Sequence, residues 1–115
     1  MSVPAGGAET TATVGEVIGQ ARVILRDPDG VRWNDAELLA LVNAGVNRAF
    51  RKRSDLRSQA SYKATSSGDV IPLDFSFSDP LAHYVAGLAL AEGDNPGDAA
   101  ISAMHIKIFD DALLG

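Results

Sequence analysis

The sequence predicts a mainly α fold, a small four-helix bundle with a short inserted β-hairpin. Three observations support this prediction. The chain has 115 residues, of which 46% are hydrophobic and 22% charged, and this suits one small globular domain with a single modest core. Apolar residues recur at helical spacing in four stretches that follow capping residues. Two β-prone runs around a turn-rich segment separate the second stretch from the third.

One helical domain is expected after a short arm. Residues 1–12 are mostly small or polar and have little to bury, so they are predicted to be a flexible N-terminal arm. Residues 13–115 are predicted to form a single domain, because the sequence has no repeat and no second domain.

The first helix is predicted to start at Thr13, since Thr13 and Glu16 have the spacing of a capping box. It stops at the turn Asp27-Pro28-Asp29-Gly30. A calcium loop that began there would need glycine at its sixth position and glutamate at its twelfth, where this chain has Arg32 and Leu38. We therefore interpret the segment as a plain turn. The apolar face of the helix comprises Val14, Val17, Ile18, Ala21, Ile24 and Leu25.

The second helix has the clearest start signal in the chain. Asn34 is the predicted N-cap and Glu37 follows it three residues later, while Trp33 and Leu38 stand at the positions of a hydrophobic staple. These four residues are the predicted anchor of the fold. The predicted buried stripe then comprises Leu38, Leu39, Val42, Val46, Ala49 and Phe50.

The hairpin is predicted over about residues 59–73. Residues 59–64 and 69–73 are its two strands, and Thr65-Ser66-Ser67-Gly68 is its turn. Pro72 restricts the second strand to a sheet edge. Because an isolated hairpin is only marginally stable in water, it is expected to lie on the helices or against a partner.

The third helix is predicted to begin near Ser78-Asp79-Pro80 and to stop at Gly93. The fourth opens with Asn95 as cap and Pro96 at its first position. Its apolar residues fall along one side of the helix: Ile101, Met104, Ile108, Ala112 and Leu113.

The sequence contains no convincing catalytic or metal site. His83 and His105 lie on different predicted helices, and neither has a partner at metal-binding spacing. Asp110 and Asp111 are adjacent, so on a helix they point about 100 degrees apart. The sequence has no P-loop and no dinucleotide-binding glycine pattern. We expect no enzymatic activity, no metal and no cofactor.

No apolar run approaches the roughly 18 residues that span a bilayer, and residues 1–13 lack the charged start and apolar stretch that are typical of a secretory signal. The chain also has no cysteine, which excludes a disulfide framework and a thiolate metal site. We expect a cytosolic origin and no membrane partner.

Charge is unevenly distributed in a chain whose net charge is −5. Residues 1–68 carry nine Lys/Arg and seven Asp/Glu, whereas residues 69–115 carry one Lys and eight Asp/Glu. Five cations fall within ten residues at the end of the second helix: Arg48, Arg51, Lys52, Arg53 and Arg57. Such a cluster either offsets the helix dipole and aids solubility, or contacts phosphate or an acidic protein surface such as that of an identical subunit. The predicted subunit or partner interface comprises these five residues together with Tyr62 and Lys63.

The stretch of residues 32–39, RWNDAELL, followed by Asn43 in the helix, resembles the signature of small tailed-bacteriophage head-to-tail adaptor (connector) proteins. In that family a first helix ends in an Asp-containing turn, as Arg26-Asp27-Pro28 does here. The resemblance continues loosely through residues 62–73. It then follows residues 79–115, with a Tyr-Val step, an acidic turn with Asn and a final helix ending Phe-x-x-x-Leu. It covers roughly residues 14–115, although many relatives carry a longer β-rich insertion where this chain has only enough residues for a hairpin.

This resemblance implies a structural protein that forms a ring, commonly of twelve subunits, beneath the portal and joins the phage head to the tail. The expected partners are other copies of the chain, the portal protein and tail proteins, and DNA passes through the channel without sequence-specific binding. The expected location is the head-tail interface of the virion, after assembly in the host cytoplasm.

A rival interpretation is a small helical DNA-binding regulator that uses the basic end of the second helix, with Arg48 to Arg57 on phosphates. Three features argue against it. The cations lie at the C-terminal end of the helix, the net charge is negative, and no base-reading side chains precede them on an obvious exposed face.

Overall fold

The structure, a computed structural model, describes residues 11–92 and 96–114. Its four α-helices are α1 (Val14–Leu25), α2 (Asp35–Lys52), α3 (Ser78–Ala91) and α4 (Pro96–Leu114). Two short 3-10 helices, Ser54–Leu56 and Phe75–Phe77, lie between α2 and α3. The predicted helical bundle is therefore confirmed.

Both predicted capping boxes are present. The Thr13 hydroxyl accepts the backbone N–H of Glu16 at 3.2 Å, and the Glu16 carboxylate accepts the N–H of Thr13 at 2.9 Å. At α2, the Asn34 side chain accepts the N–H of Glu37 at 2.8 Å and the Glu37 carboxylate accepts the N–H of Asn34 at 3.0 Å. Trp33 is buried immediately before this cap. These bonds satisfy N–H groups that have no partner within the helix.

The turn after α1 is built around Asp27. Arg26 adopts a left-handed conformation that ends the helix, and Gly30 has a φ of +71°. The buried Asp27 carboxylate accepts backbone N–H groups from Val31, Arg32 and Trp33. Burial disfavours the charge of this carboxylate, but the three N–H donors and the nearby Arg22 together lower the pKa of Asp27. The carboxylate thus holds the chain in the bend that leads to α2.

The third helix, α3, is the centre of the bundle and packs against the other three helices. Glycines permit two of these approaches. A Cβ at Gly45 of α2 would meet the side chains of Leu81 and Tyr84, and a Cβ at Gly87 of α3 would lie 3.0 Å from the Ser102 carbonyl of α4. The Ser102 hydroxyl donates a 2.6 Å hydrogen bond to the Gly87 carbonyl at the same crossing.

The predicted β-hairpin is wrong, because no backbone hydrogen bond joins its two described halves, which bond instead to α2 and to the chain around the start of α1. Between residues 61 and 64, the backbone bonds to asparagine side chains of α2. Residues 67–71 bond to the chain around the start of α1, with an isolated bridge between Thr13 and Val70. The Asp69 carboxylate accepts the N–H groups of Thr65 and Ser66 and closes the turn. No strand occurs within residues 11–92 and 96–114.

The side of α4 that carries the apolar residues in the sequence is not the side that packs. Ile101, Met104 and Ile108 are 43%, 56% and 37% exposed. Among residues 97–114 of α4, the buried ones are Ser102, Phe109 and Leu113, of which only Leu113 belongs to the predicted stripe. The predicted cap Asn95 lies outside the described residues, as do residues 1–10 of the predicted arm. Ala12, at the end of that arm, is buried, and its carbonyl accepts the Ile71 N–H at 2.8 Å.

Candidate assembly surface

The structure divides the five clustered cations into two groups, and Arg48 belongs to the group that holds the fold together. Its guanidinium donates to both carboxylate oxygens of Asp110 on α4, at 2.9 and 2.7 Å. The two side chains are 27% and 26% exposed. The paired hydrogen bonds raise the pKa of Arg48 and lower the pKa of Asp110. Arg48 thus joins α2 to α4.

Arg53, just beyond the end of α2, is also engaged within the chain. Its guanidinium donates to both oxygens of Asp55, at 3.1 and 2.6 Å, and to the Leu113 carbonyl at 3.2 Å. The last carbonyls of a helix have no partner within it, and a cation there offsets the helix dipole. Arg53 therefore caps the C-terminal end of α4.

Arg51, Lys52 and Arg57 form the second group, which we call the free cations. All three are exposed, and none forms an ion pair within residues 11–92 and 96–114. Arg51 and Arg57 border a cavity of about 560 Å³ between the C-terminal half of α2 and residues 57–61. Phe50 and Tyr84 also line this basic cavity. A guanidinium can form two parallel hydrogen bonds with a carboxylate or a phosphate, so the cavity suits an anionic group.

The remaining two predicted interface residues differ in exposure. Tyr62 is only 9% exposed, and its hydroxyl donates to the Val70 carbonyl at 2.8 Å. Burial, and then the charge of Asp69, raise the pKa of Tyr62. Its side chain therefore serves the chain's own fold. Lys63 is exposed beside it.

Sequence reasoning missed the role of Asn43 and Asn47, which hold the segment beside the basic cavity. Asn47 donates to the Tyr62 carbonyl at 2.8 Å and accepts the Tyr62 N–H at 2.9 Å. Asn43 makes the same two bonds with Ala64, at 3.1 and 2.7 Å. The signal was present, since two asparagines four positions apart inside a helix are poor helix formers and share a face.

The two histidines lie on different helices, as predicted, and meet at the contact of α3 and α4. Their Nδ1 atoms are 2.9 Å apart and their rings stack with centroids 5.0 Å apart. Asp79 lies 3.7 Å from Nε2 of His83. Burial and the neighbouring His83 lower the pKa of His105. In the described parts of the chain, no group of three potential ligands could hold a metal ion.

A second cavity, of about 510 Å³, lies between α1, α2 and the turn at residues 65–67. Gly19 forms part of its wall, and a Cβ there would meet no atom within 4 Å. Arg22, on the same wall, donates to the carbonyls of Asp27 and Trp33 at 3.2 and 2.9 Å and forms an ion pair with Asp35, which also lines the cavity. This cavity therefore offers no uncommitted charge, in contrast to the basic cavity.

The chain matches no protein-family model, no curated protein and no solved structure. Among the described helices, none is both long and apolar enough to cross a membrane. The assignment of function consequently depends on the residues themselves.

Proposed function

We propose that this chain is a structural virion protein that forms a ring, joins the portal of a phage head to the tail and leaves a channel for DNA. The observation that carries the proposal is the placement of the free cations. Arg51, Lys52 and Arg57 lie at one end of the bundle in a chain with five more acidic than basic residues, yet none of them is paired within the described residues. Charges left unpaired at a surface favour association with a complementary surface.

The resemblance at residues 32–43 supplies the identity of the assembly. The Asn34 and Glu37 capping box and the buried Trp33 and Leu38 form the start of α2, and Asn43 follows within the same helix. In this proposal the bundle is a rigid subunit, and its basic end contacts a neighbour or the portal protein. The ring, dodecameric in the family it resembles, is located at the head-tail interface, and its subunits are made in the host cytoplasm.

Size-exclusion chromatography with light scattering, with and without a portal protein, tests the proposal directly. We expect a ring-sized species, alone or once the portal is added, and a ring visible by negative-stain electron microscopy. A subunit that stays at 12.0 kDa in every condition, including an excess of cognate portal protein, would contradict it.

The rival proposal, a DNA-binding regulator, is weakened by the intramolecular roles of Arg48 and Arg53. Only Arg51, Lys52 and Arg57 of the cluster remain to contact phosphates. A protein that binds tightly to the phosphate backbone of DNA makes roughly 6–10 phosphate contacts. Fluorescence anisotropy with a labelled duplex at low salt would separate the two proposals. Saturable, sequence-dependent binding would favour the regulator.

A further inference from the structure

The contact between neighbouring subunits of the proposed ring can be assigned to particular residues from the positions of unpaired charge. Arg51 and Arg57 border the basic cavity at the end of α2. The acids nearest to this end are already committed, since Asp110 binds Arg48 and Asp55 binds Arg53. Within the described chain, then, the cavity has two guanidinium groups and no carboxylate partner for them.

The connection between α3 and α4 presents the opposite charge. Glu92 directly follows α3 and is exposed, and Asp98 lies in the first turn of α4. Neither forms an ion pair within residues 11–92 and 96–114. Residues 92–98 contain no Lys or Arg. We call Glu92 and Asp98 the acidic pair.

The two surfaces cannot meet within one chain. The basic cavity lies beside the C-terminal half of α4, because Arg48 binds Asp110 and Arg53 binds the Leu113 carbonyl. Asp98 is twelve positions before Asp110 on the same helix, which places the two about 18 Å apart along the helix axis. A subunit therefore presents unpaired cations near one end of α4 and unpaired carboxylates near the other.

We infer that Arg51 and Arg57 of one subunit bind Glu92 and Asp98 of the next. This inference rests on the ring proposed above and specifies its contact. Because the two surfaces differ and lie at opposite ends of one helix, the contact is heterologous and repeats from subunit to subunit, as a closed ring requires. Each guanidinium can make paired hydrogen bonds with a carboxylate, and the buried rings of Phe50 and Tyr84 form an apolar wall of the cavity.

Duplex DNA is the less suitable occupant, since the chain has a net charge of −5 and the cavity offers only two guanidinium groups. The acidic pair of an identical subunit has two carboxylates, so two guanidinium groups are enough to bind it. If duplex DNA, and not a second subunit, protects the backbone amides around the cavity from hydrogen exchange, the inference is overturned.

Cross-linking can test the contact cleanly because the chain has no cysteine. Ala60→Cys, at the cavity, and Ala91→Cys, next to Glu92, keep all four charges of the contact. The two variants are made separately, mixed and treated with a short bis-maleimide cross-linker. We expect a covalent dimer of twice 12.0 kDa from the mixture and a ladder of oligomers from the double variant. The matched control is Ala40→Cys, an exposed position on the other half of α2, mixed with Ala91→Cys. A dimer yield no greater than that of the control would refute the assignment.

Charge reversal gives a second test that does not depend on cross-linking. Arg51→Glu with Arg57→Glu should weaken self-association at least about tenfold, and mixing this variant with Glu92→Lys, Asp98→Lys should restore binding between the two. Arg26→Glu, at an exposed position just after α1, is the control for a general change of charge. The melting temperature should fall only slightly in all three, because Arg51 and Asp98 lie in terminal turns where a reversed charge opposes the helix dipole. If wild-type subunits form rings while charge reversal has no effect, this contact is wrong and the proposed function stands. If no ring forms under any condition, the proposed function fails, and the cross-linking result still decides the contact.

Discussion

Two asparagine side chains of α2 bind the backbone of an extended segment, as a neighbouring β-strand would do in a sheet. Asn43 and Asn47 are separated by about 6 Å along α2, and alternate residues of an extended chain are separated by about 6.6 Å. Two amides on one helix face therefore match the N–H and C=O groups of Tyr62 and Ala64. The extended segment satisfies its polar groups on a helix, which explains why residues 59–64 looked like a strand yet pair with none.

Replacing Asn47 with Ala should lower the free energy of unfolding by about 1–3 kcal/mol, because the N–H and C=O of the buried Tyr62 would lose their partners. Urea denaturation of the variant measures this change. Ala44→Ser, at an exposed position on the same helix, serves as the control and should change stability little. Equal stability of Asn47→Ala and the wild type would show that water replaces the amide at no cost.

Replacing Asn34 with Ala should cost on the order of 1 kcal/mol, since the N–H of Glu37 then loses the side-chain oxygen that caps α2. Asn34→Ser keeps a capping oxygen and should recover most of the loss. Thermal melts of the three proteins provide the comparison. If Ser and Ala are equally destabilising, the cap is not what stabilises the start of the helix.

His105 should make the free energy of unfolding depend on pH. Folding lowers the pKa of His105, so the unfolded chain takes up a proton more readily than the folded one. The contribution of His105 to the free energy of unfolding is therefore fully present above about pH 6.5, the ordinary histidine pKa, and is lost as the pH drops below it. Carboxylates with lowered pKa values, such as Asp110, lose their contribution only near and below about pH 4.

The measurement is urea unfolding at about pH 7.5 and about pH 5.5, in wild type and in His105→Gln. We expect the wild type to lose stability between the two values and the variant, which has no imidazole at this position, to lose less. The same pH dependence in both proteins would contradict the assignment to His105.

At the scale of elements, Arg48 in α2 and Arg53 just after it hold the end of α2 against α4. In the sequence these two arginines could not be told apart from the other cations of the cluster. We expected all five cations to serve assembly more than folding. Arg48 and Arg53 instead bind Asp110 and the Leu113 carbonyl, so a part of the cluster is internal. The opposite face of α4 exposes Ile101, Met104 and Ile108, because the helix buries Phe109 and Leu113 against the bundle.

Arg48→Gln should lower the free energy of unfolding by roughly 1–3 kcal/mol, because it removes both hydrogen bonds to the partly buried Asp110. Arg51→Gln, one turn along the same helix, is the matched control and should leave the melting temperature unchanged, since Arg51 is exposed and has no ion-pair partner in the described residues. Equal effects of the two substitutions would indicate that the cluster acts as one unit.

At the scale of the whole molecule, the free cations lie near one end of α4 and the acidic pair lies near the other. A triple change of Arg51, Lys52 and Arg57 to Gln should leave the thermal melt of the subunit nearly unaltered and should slow or abolish ring formation. Several charges that face one complementary surface act together on association, whereas exposed single pairs contribute little to folding. Light scattering of the variant and wild type measures assembly.

Assembly of the wild type should also weaken as salt is raised, because screening shortens the range of interactions between exposed charges. Ring formation that is indifferent to both salt and the triple change would place the joining surface elsewhere. Unfolding of the triple variant would instead assign these residues to the fold.

The sequence by itself determined the helical class, the starts of α1 and α2 and the turn at Asp27. These depend on contacts within a few residues, such as Asn34 with Glu37, so their residue types and spacing are enough to predict them. Helical periodicity also predicted most of the buried stripes of α1 and α2, because one face of each meets the core.

Only the tertiary structure decided which polar groups meet. The bonds of Asn47 with Tyr62, Arg48 with Asp110 and His83 with His105 join residues 15, 62 and 22 positions apart. No local pattern specifies such partners, because they depend on how the helices cross. The packed face of α4 was likewise decided by the Gly87 and Ser102 crossing, which turns Phe109 inward and leaves the more apolar side exposed. The division of the basic cluster follows from the same packing, since α4 reaches Arg48 and Arg53 and leaves Arg51 and Arg57 at the surface.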